Sequence, residues 1–441
     1  MNQITLYSKA TTERLTYIAQ LVFEQLLGLE LSLTSDVDTF LSSTSIQLNY
    51  SNNSDLPGLQ IKPYKLLFEE DIKPIRIELG QEWNNLPSLI IEGYQHFDLL
   101  AISFYLVSRF EEYVPFEKDA HNRFTASQSC LLKFGLLQRP IVNEWALGLL
   151  NQLITQNTDL QTTPRQFNYV STIDIDQAWK YRNKGFLRSV GGLVRDSARR
   201  SWQEVKDRVS VLTNQKADPF YNFDWQDKVH QKFKTSVNYF IQIGKRGKFD
   251  KNTDVSNAEF QRCINRINDT YTIGIHPSYR SNYEHALVAK EHQMLENIVA
   301  HDIVHSRQHF LMHKMPETYV TLEDIGITED HTMGYSTHLG FRAGIAAPFH
   351  FFNLTTNKVT NLELIPFCCM DITPLHYMNQ PPQQAVATII ELMERVKNVG
   401  GLFVSLWHNE SMSEDGRWQG WRTVYSQMVE HAYTLNADDE K

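Results

Sequence analysis

A pair of aspartates two residues apart is the first feature of this sequence that could carry out chemistry. Asp174 and Asp176 follow the β-branched run Tyr169–Ile173, which is typical of a buried strand. Residues two apart in an extended segment face the same side, and two ionised carboxylates that close repel each other unless a cation offsets them. From spacing alone, a metal-binding catalytic pair and a solvent-exposed loop or helix N-cap are equally good interpretations.

Imidazole and guanidinium groups follow other predicted strands. His276 ends one strand, and His408 ends the last strand along the chain. Arg307 and His309 share one side if their segment is extended. Because sites in parallel α/β folds are built at the carboxyl ends of strands, these groups could meet. Carboxylates, imidazoles, a general base and a general acid are what metal-assisted hydrolysis requires.

Other polar groups are expected to have structural roles. Adjacent helical residues diverge by about 100°, so Glu111 and Glu112 are interpreted as a solvated helix end with one buried partner. We expect most of five other histidines to lie on the surface, namely His285, His292, His301, His305 and His313. The sequence has no HExxH, GxSxG, Walker A or GxGxxG motif, which argues against the corresponding protease, esterase and nucleotide sites.

Short apolar strands alternate with helical stretches after residue 167, which indicates an α/β fold with a largely parallel sheet, open or closed as a barrel. The predicted strands are Tyr169–Ile173, Val237–Ile243, Thr272–Ile275, Glu363–Phe367 and Leu402–Leu406, and the clearest helices span 283–299 and 383–399. Residues 177–214 form a polar, basic segment. It is interpreted either as a solvated helix pair or as an insertion that covers a substrate.

The first 155 residues mix helix and strand patterns, and the polar segment 157–166 then marks a boundary. We therefore predict a smaller α/β domain over residues 1–155 and a second domain over 167–434. In the first domain, apolar residues at three- and four-residue steps predict a helix that ends at Gly28. The sequence does not indicate what this domain does.

Composition restricts the class of protein. The 441 residues carry 42 Lys and Arg against 51 Asp and Glu, a formal charge of −9, whereas phosphate-binding nucleic-acid proteins normally have a basic excess. The four cysteines have neither CxxC nor disulfide-like spacing. No apolar run reaches the about 18 residues of a membrane-spanning helix, and the first 30 residues do not have the pattern of a signal peptide. We expect a cytoplasmic protein that acts on small or neutral molecules.

Several of these segments resemble motifs of the polysaccharide deacetylase family of carbohydrate esterases. Thr172–Asp176 is similar to the first motif, Gly274–Tyr279 to the histidine loop and Ser306–Phe310 to the arginine motif. Gly326–Asp330 and Leu406–His408 stand where that family has its last two motifs. The segment before residue 156 resembles the uncharacterised N-terminal domain of a bacterial branch of the family. The resemblance implies a distorted (β/α) barrel preceded by the smaller α/β domain.

One departure from the family pattern concerns the metal. The family's histidine loop has two metal-binding imidazoles four residues apart, but the residue four positions after His276 is Arg280. Either His309 replaces the missing ligand or the metal site is weak or absent. With His309, one oxygen and two nitrogens would leave a position open for water, as catalytic zinc needs. The predicted ligands of a divalent ion, most often zinc with cobalt or nickel as alternatives, are Asp176, His276 and His309.

The resemblance also implies an activity, the hydrolysis of acetyl groups from an acetylated sugar or glycan precursor. The roles it implies are Asp174 as base, Arg307 as the group that orients this base, and His408 as the acid. The expected substrate-binding residues are Tyr279, Trp407 and Asp330. Two alternatives remain open: a catalytically silent carbohydrate-binding or assembly protein, and a hydrolase of small amide or imide C–N bonds. The oligomeric state and the identity of the sugar are not predicted.

Overall fold

The N-terminal third of the chain contains two small sheets and five helices. The computed structural model describes residues 2–157, 159–160, 162 and 165–439. The strands of this part are β1 (Gln3–Ser8), β2 (Glu30–Thr34), β3 (Ile46–Tyr50), β4 (Leu59–Gln60), β5 (Ile77–Leu79) and β6 (Leu89–Ile91). Its helices are α1 (Glu13–Ala19), α2 (Val37–Ser42), α3 (Leu99–Val107), α4 (Cys130–Lys133) and α5 (Ile141–Gln156). The first four strands form a parallel sheet in the order β2-β1-β3-β4, and β5 pairs with β6 antiparallel.

Local sequence signals explain where these helices begin and end. The Thr12 hydroxyl accepts a hydrogen bond from the backbone N–H of Leu15 and so caps α1. The chain continues in π-helical form over Gln20–Leu26 and stops before Gly28, whose φ of +66° favours glycine. This is the end that the sequence predicted. Asp98 caps α3 in the same way, accepting from the N–H of Ala101.

The rest of the chain contributes nine strands and eight helices to the described structure. The strands are β7 (Asn168–Ile175), β8 (Ser236–Ile241), β9 (Thr272–Ile275), β10 (His305–Ser306), β11 (Glu329–Asp330), β12 (Phe349–Asn353), β13 (Lys358–Leu364), β14 (Cys369–Met370) and β15 (Leu402–His408). The helices are α6 (Phe186–Ala198), α7 (Trp202–Leu212), α8 (Phe223–Lys232), α9 (Ala258–Asn268), α10 (His285–Val299), α11 (Glu317–Asp324), α12 (Pro382–Lys397) and α13 (Trp421–Asp439).

These strands form one sheet in the order β12-β13-β11-β10-β9-β8-β7-β15-β14. Every pairing is parallel except that of β12 with β13. The parallel strands from β7 to β13 follow chain order on one side of β7, while β15 and β14 lie on the other side. The structure thus confirms a mixed α/β fold, and closure of the sheet into a barrel stays a prediction.

Most predicted elements coincide with observed ones. The strands β7, β8, β9 and β15 and the helices α10 and α12 lie where the hydrophobic pattern predicted them. The strand predicted over Glu363–Phe367 instead spans Lys358–Leu364 as β13. Residues 158, 161, 163 and 164 of the predicted boundary segment lie outside the described residues. The division into two domains stays a prediction, and one hydrophobic core contains buried residues from both sides of that boundary.

One expectation about polar residues is wrong and another holds only in part. Of the five histidines expected mostly at the surface, His285 and His301 are exposed and His305 is half-buried, whereas His292 and His313 are buried. Glu111 and Glu112 are both buried as well, each in an ion pair with Arg109. In the described part of the chain, no helix combines the length and apolar character needed to span a bilayer.

Candidate functional site

Strand β7 carries the two aspartates to the carboxyl edge of the main sheet. Asp174 is buried and lies between Phe240 of β8 and His408 of β15 in the strand register. Asp176 follows the strand and is half-buried. Both carboxylates face the same imidazole, since His276 Nε2 lies 3.7 Å from Asp174 Oδ2 and 3.3 Å from Asp176 Oδ1. The alternation expected for an extended segment therefore holds here.

His276 leaves β9 with its ring orientation fixed by the backbone. Its Nδ1 donates a hydrogen bond to the carbonyl oxygen of Arg307 over 2.6 Å. Because a carbonyl only accepts, the proton resides on Nδ1 and the lone pair on Nε2 points to the two aspartates. This is the tautomer that a metal ligand needs.

His309 approaches Asp176 from the segment after β10. Its Nε2 lies 3.6 Å from Asp176 Oδ2, and its Nδ1 lies 3.0 Å from Asp250 Oδ1. The Gln242 amide nitrogen is 2.7 Å from the same Nδ1. The same Gln242 nitrogen donates to Asp250 Oδ1 over 2.9 Å and so holds that carboxylate beside the ring. The Asp250 carboxylate favours a proton on Nδ1, so Nε2 is the nitrogen that faces Asp176.

Asp250, which sequence reasoning missed, thus supports His309 as carboxylates commonly support metal-binding histidines. It lies in the loop after β8 and also accepts a hydrogen bond from the Tyr279 backbone N–H over 2.9 Å. The only sequence signal was its position after a predicted strand.

The three predicted ligands could hold a divalent ion. Their ligand atoms all lie within 4.8 Å of one another. Asp176 Oδ1 is inaccessible to solvent and has no hydrogen-bond partner in the described structure, and a buried polar atom of this kind ordinarily needs one. A ligand set of two imidazoles and a carboxylate matches catalytic zinc sites, which keep a further position open.

The electrostatics of the ligands are consistent with this fit. Burial by itself would raise the pKa of Asp176, but the positive charge of His309 and the facing ring of His276 hold it well below its usual value. Burial would lower the pKa of His309, yet Asp176 and Asp250 outweigh it and raise this pKa to about 9, so a bound divalent ion would take the place of the proton on Nε2. The carboxylate is therefore ionised, and positive charge is favoured between these residues.

Arg307 holds Asp174 from the interior of the sheet. Its Nη1 donates to Asp174 Oδ1 over 3.0 Å and to Thr172 Oγ1 over 2.6 Å, and its Nε donates to the His331 carbonyl. The guanidinium is fully buried and lies above the ring of Phe240. A charge-assisted hydrogen bond from a buried guanidinium orients this carboxylate.

His408, at the end of β15, completes the arrangement. Its Nε2 lies 4.0 Å from Asp176 Oδ2. Its Nδ1 is 3.1 Å from Asp371, a residue after β14 that sequence reasoning also missed. Burial would lower the pKa of His408, but Asp371, followed by Asp176 and Asp174, raises it to about 10. A divalent cation nearby would oppose part of this rise. The group can hold a proton and donate it.

The three expected substrate-binding residues have different environments. Trp407 is fully buried and packs edge-on against Tyr425. Asp330 is also fully buried and accepts hydrogen bonds from Ser306 and Thr332. Burial contradicts contact with a substrate for both residues. Tyr279 remains half-exposed next to the candidate ligands.

Tyr279 belongs to a cluster of aromatic rings, here called the aromatic wall and defined as Tyr279, Phe249, Phe310 and His121. The Tyr279 ring lies 4.3 Å from that of Phe249 and 5.3 Å from that of Phe310. His121 Nδ1 lies 3.0 Å from the Tyr279 hydroxyl. Since Phe310 follows His309 directly, the wall adjoins the candidate ligands, and the N-terminal part of the chain contributes one of its rings.

Comparisons with known proteins give distant likenesses. A family of unknown function (DUF7033) matches residues 4–158. No curated protein matches the chain. The chain is similar to a "putative polysaccharide deacetylase" from Mycobacterium smegmatis, at 12% identity and a TM-score of 0.37, over 63% of this chain and 92% of that one.

Two further solved structures are similar at lower TM-scores. One is a polysaccharide deacetylase from Bacillus cereus, at 12% identity and a TM-score of 0.29, over 60% of this chain and 85% of that one. The other is a CE4 family pseudoenzyme from Bacillus anthracis, at 14% identity and a TM-score of 0.29, over 61% of this chain and 62% of that one.

Proposed function

We propose that this protein is a metal-dependent hydrolase that removes acetyl groups from an acetylated sugar or glycan precursor. The observation that carries the proposal is the convergence of Asp176, His276 and His309, with ligand atoms within 4.8 Å of one another. The pair Asp174–Arg307 flanks this cluster on one side and the pair Asp371–His408 on the other. Together they supply the base and the acid that hydrolysis of an amide or ester requires.

The proposed ion is zinc, with cobalt or nickel as alternatives. Asp176 supplies one oxygen, and His276 and His309 each supply Nε2. The Nδ1 atoms of these two rings contact the Arg307 carbonyl and Asp250. When bound, the ion would polarise the acetyl carbonyl and lower the pKa of the attacking water from about 15.7 toward about 7.

The remaining steps are carried out by side chains. Asp174 accepts the proton of the attacking water, and Arg307 keeps that carboxylate oriented through its 3.0 Å contact. His408 then donates a proton to the departing amine or alkoxide. Asp371 holds the His408 ring so that Nε2, and not Nδ1, faces the reacting group.

The aromatic wall supports a sugar as the substrate. Apolar faces of sugar rings pack against aromatic side chains, and Tyr279 remains half-exposed beside the ligands. Phe249 and Phe310 hold the Tyr279 ring at 4.3 Å and 5.3 Å. We take Tyr279, in place of the buried Trp407, as the residue on which the acetylated sugar stacks.

We further propose that the main sheet closes as a distorted barrel. The parallel run ends at β13 and β14, and only residues 365–368 separate these two strands in the chain. In that link Ile365 N–H bonds to Asp330 beside β13, while Cys368 N–H bonds to Val404 of β15. One segment thus bonds to both ends of the parallel run.

Acetate release is the direct test. Zinc-loaded protein is incubated with N-acetylated and O-acetylated sugars, and we expect free acetate that disappears with a chelator and returns with zinc. Asp174→Asn should abolish turnover and keep the metal. A chain that takes up no metal on titration would overturn the proposal. A melting temperature that rises with glycan but without acetate release would identify a binding protein, and preference for small cyclic amides would identify the C–N hydrolase.

A further inference from the structure

A basic cavity of about 570 Å³ adjoins the candidate site. Gln177, the neighbour of Asp176, and Glu410, two residues after His408, line one side of it. Residues between β7 and α6, residues of the loop after β8 and Phe220 before α8 line the rest, together with residues of the helices α6 and α7. These helices form the polar, basic segment that the sequence left open as either a solvated helix pair or an insertion covering a substrate.

The cavity concentrates positive charge in a chain whose formal charge is −9. Its two carboxylates, Glu204 and Glu410, are already engaged by Lys180 and Arg417. Four other lining cations form no ion pair within the described residues, namely Lys184, Arg188, Arg246 and Lys251. Burial, followed by the charge of Arg188, lowers the pKa of Lys184 to about 8. Uncompensated cations that repel one another are stabilised by a bound anion.

We propose that this cavity binds the phosphate or diphosphate group of an acetylated sugar phosphate, and this rests on the proposed deacetylase function. Arginine forks match phosphate oxygens two at a time, and Arg188 and Arg246 both line the cavity. Because Gln177 and Glu410 border both regions, a phosphorylated sugar held here presents its ring to the candidate ligands. The substrate is therefore an activated, anionic sugar and not a neutral glycan.

The phosphate can come from two sources, a nucleotide-linked sugar or a lipid-linked sugar. The same helix α6 that carries Arg188 exposes Phe186, Leu187 and Val194, which are 81%, 86% and 63% accessible. These exposed side chains offer an apolar surface for the hydrocarbon chain of a lipid-linked diphosphate. The experiment therefore includes one ligand of each kind.

Binding is measured by titration calorimetry with the Asp174→Asn variant, because this variant should not remove the acetyl group of the sugar probes during the experiment. The probes are an N-acetylhexosamine, its 1-phosphate, its uridine diphosphate conjugate and a short polyprenyl diphosphate conjugate in detergent. We expect the phosphorylated forms to bind at least about tenfold more tightly than the neutral sugar, with a difference that shrinks as salt rises. Arg188→Gln and Arg246→Gln should each reduce that difference about tenfold, whereas Lys206→Gln, on α7 outside the cavity, should leave it unchanged.

Equal affinity for neutral and phosphorylated sugars, or no effect of Arg188→Gln and Arg246→Gln, would overturn the phosphate site. Acetate released equally well from neutral glycans would also overturn it while leaving the proposed function in place. Tight binding that depends on Arg188 and Arg246, without acetate release from any form, would support the phosphate site and overturn the proposed deacetylase function. The conjugate that binds more tightly, nucleotide-linked or lipid-linked, identifies the source of the phosphate group.

A second cluster could hold a metal ion independently of the first. The ligand atoms of His305, Glu329 and His331 lie within 4.8 Å of one another on β10, β11 and the residue after β11. His331 is buried, and neither of its ring nitrogens has a hydrogen-bond partner in the described structure. His305 Nδ1, which lies 3.2 Å from Glu329 Oε2, also makes no hydrogen bond there. Buried imidazoles without partners are rare, because each unpaired nitrogen costs free energy.

We infer that these three residues form a second zinc-binding site. Two imidazoles and a carboxylate are zinc ligands, and Glu363, the register partner of Glu329 on β13, adds negative charge. A cleft of about 410 Å³ beside His305, at the amino ends of β9 and β10, provides access. Since β10 and β11 are only two residues long, an ion here would also tie them together.

The test uses a variant in which the first site is disabled, Asp176→Ala with His309→Ala. Zinc titration against a chromophoric chelator should still find about one ion per chain, and that ion should raise the melting temperature. Adding Glu329→Gln or His331→Gln should abolish both effects, with folding checked by circular dichroism, whereas His301→Gln, an exposed histidine beside the same cleft, should change neither. No zinc in the disabled variant, or zinc that persists with Glu329→Gln, would overturn the second site.

Discussion

Each histidine of the candidate site is oriented by a different partner on the chain. The Arg307 carbonyl fixes His276, Asp250 supports His309 and Asp371 supports His408. The first two partners occupy Nδ1 and leave Nε2 as the nitrogen that faces Asp176, as metal binding requires, while the carboxylate beside His408 favours the protonated ring that an acid needs. The same side chain thus serves as a ligand or as an acid according to its neighbour.

Removing the carboxylate behind His309 should weaken metal binding without removing a ligand. We predict that Asp250→Asn lowers zinc affinity about 10- to 100-fold, as loss of such partners commonly does. Competition with a chelator of known affinity measures it. Asp254→Asn in the same loop is the control, since the Asp254 carboxylate accepts hydrogen bonds from Ser256 and not from His309 in the described structure. Unchanged affinity in Asp250→Asn would show that His309 does not depend on this carboxylate.

The acid role of His408 predicts a dependence on the leaving group. His408→Ala should lower kcat about 10²- to 10⁴-fold for acetamides and alkyl acetates, which need a proton on departure. Phenyl acetates need none, so their kcat should fall far less. Steady-state kinetics on both classes measure the contrast, with His376→Ala, an exposed histidine after β14, as control. An equal loss for both classes would assign His408 to another step.

At the scale of elements, hydrophobic patterns located the strands but not the loops between them. Asp250 and Asp371 were missed because no periodicity determines where a loop residue lies. Trp407 was wrongly assigned to the substrate, although strand alternation already places it on the face opposite to His408. Asp330 was misassigned because β11 is only two residues long, too short for its pattern to reveal the burial of that side chain.

Strand β9 positions His276 only if it can approach its neighbours closely. A Cβ on Gly274 would lie 2.7 Å from the His305 carbonyl oxygen and 2.7 Å from the Phe240 ring. We predict that Gly274→Ala destabilises the protein by about 1–3 kcal/mol and weakens zinc binding, because β9 must shift. Urea unfolding and zinc titration measure the two effects. Gly191→Ala in α6, where nothing lies within 4 Å, should instead be neutral or stabilising.

Helix α8 buries a histidine that should make the fold sensitive to acid. His230 bonds to the hydroxyl of Tyr425, and burial lowers its pKa to about 3. Since the unfolded chain takes up this proton near pH 6.5 and the folded chain does not, stability falls as the pH drops below about 6.5. This group should cost about 2 kcal/mol between pH 7 and pH 5.

His230→Gln should remove that part of the pH dependence, whereas His301→Gln, at the surface, should keep it. Urea unfolding at both pH values measures the difference. An identical pH dependence in His230→Gln and the unmodified protein would show that His230 is not the group responsible.

At the scale of the whole molecule, the N-terminal part is bound into the rest of the chain. The Tyr17 hydroxyl donates to the His350 carbonyl, and Val142 N–H donates to that of Gly344. His121 reaches the aromatic wall beside the candidate site. The N-terminal part therefore helps to shape the surface beside the candidate site, a contribution that the sequence did not reveal.

A buried ion cluster also links the two parts of the chain. Glu112 accepts from Arg109 Nε over 2.8 Å and from Arg342 through Nε and Nη2 over 2.9 Å and 2.7 Å. All three side chains are buried. Burial by itself would raise the pKa of Glu112, but the two guanidinium groups hold it well below its usual value. The carboxylate is therefore ionised, and it balances cations from both parts of the chain.

Removal of this carboxylate would leave two guanidinium groups buried without their shared counter-charge. A buried ion pair that loses one partner typically costs about 3–5 kcal/mol, so we predict a loss of this size for Glu112→Ala, measured by urea unfolding. Glu117→Ala, an exposed position on the same segment, should stay within about 0.5 kcal/mol. Because Glu112 contacts Arg342, the two parts should still unfold in one transition in the unmodified protein. A Glu112→Ala variant as stable as Glu117→Ala would mean that this ion cluster does not hold the two parts together.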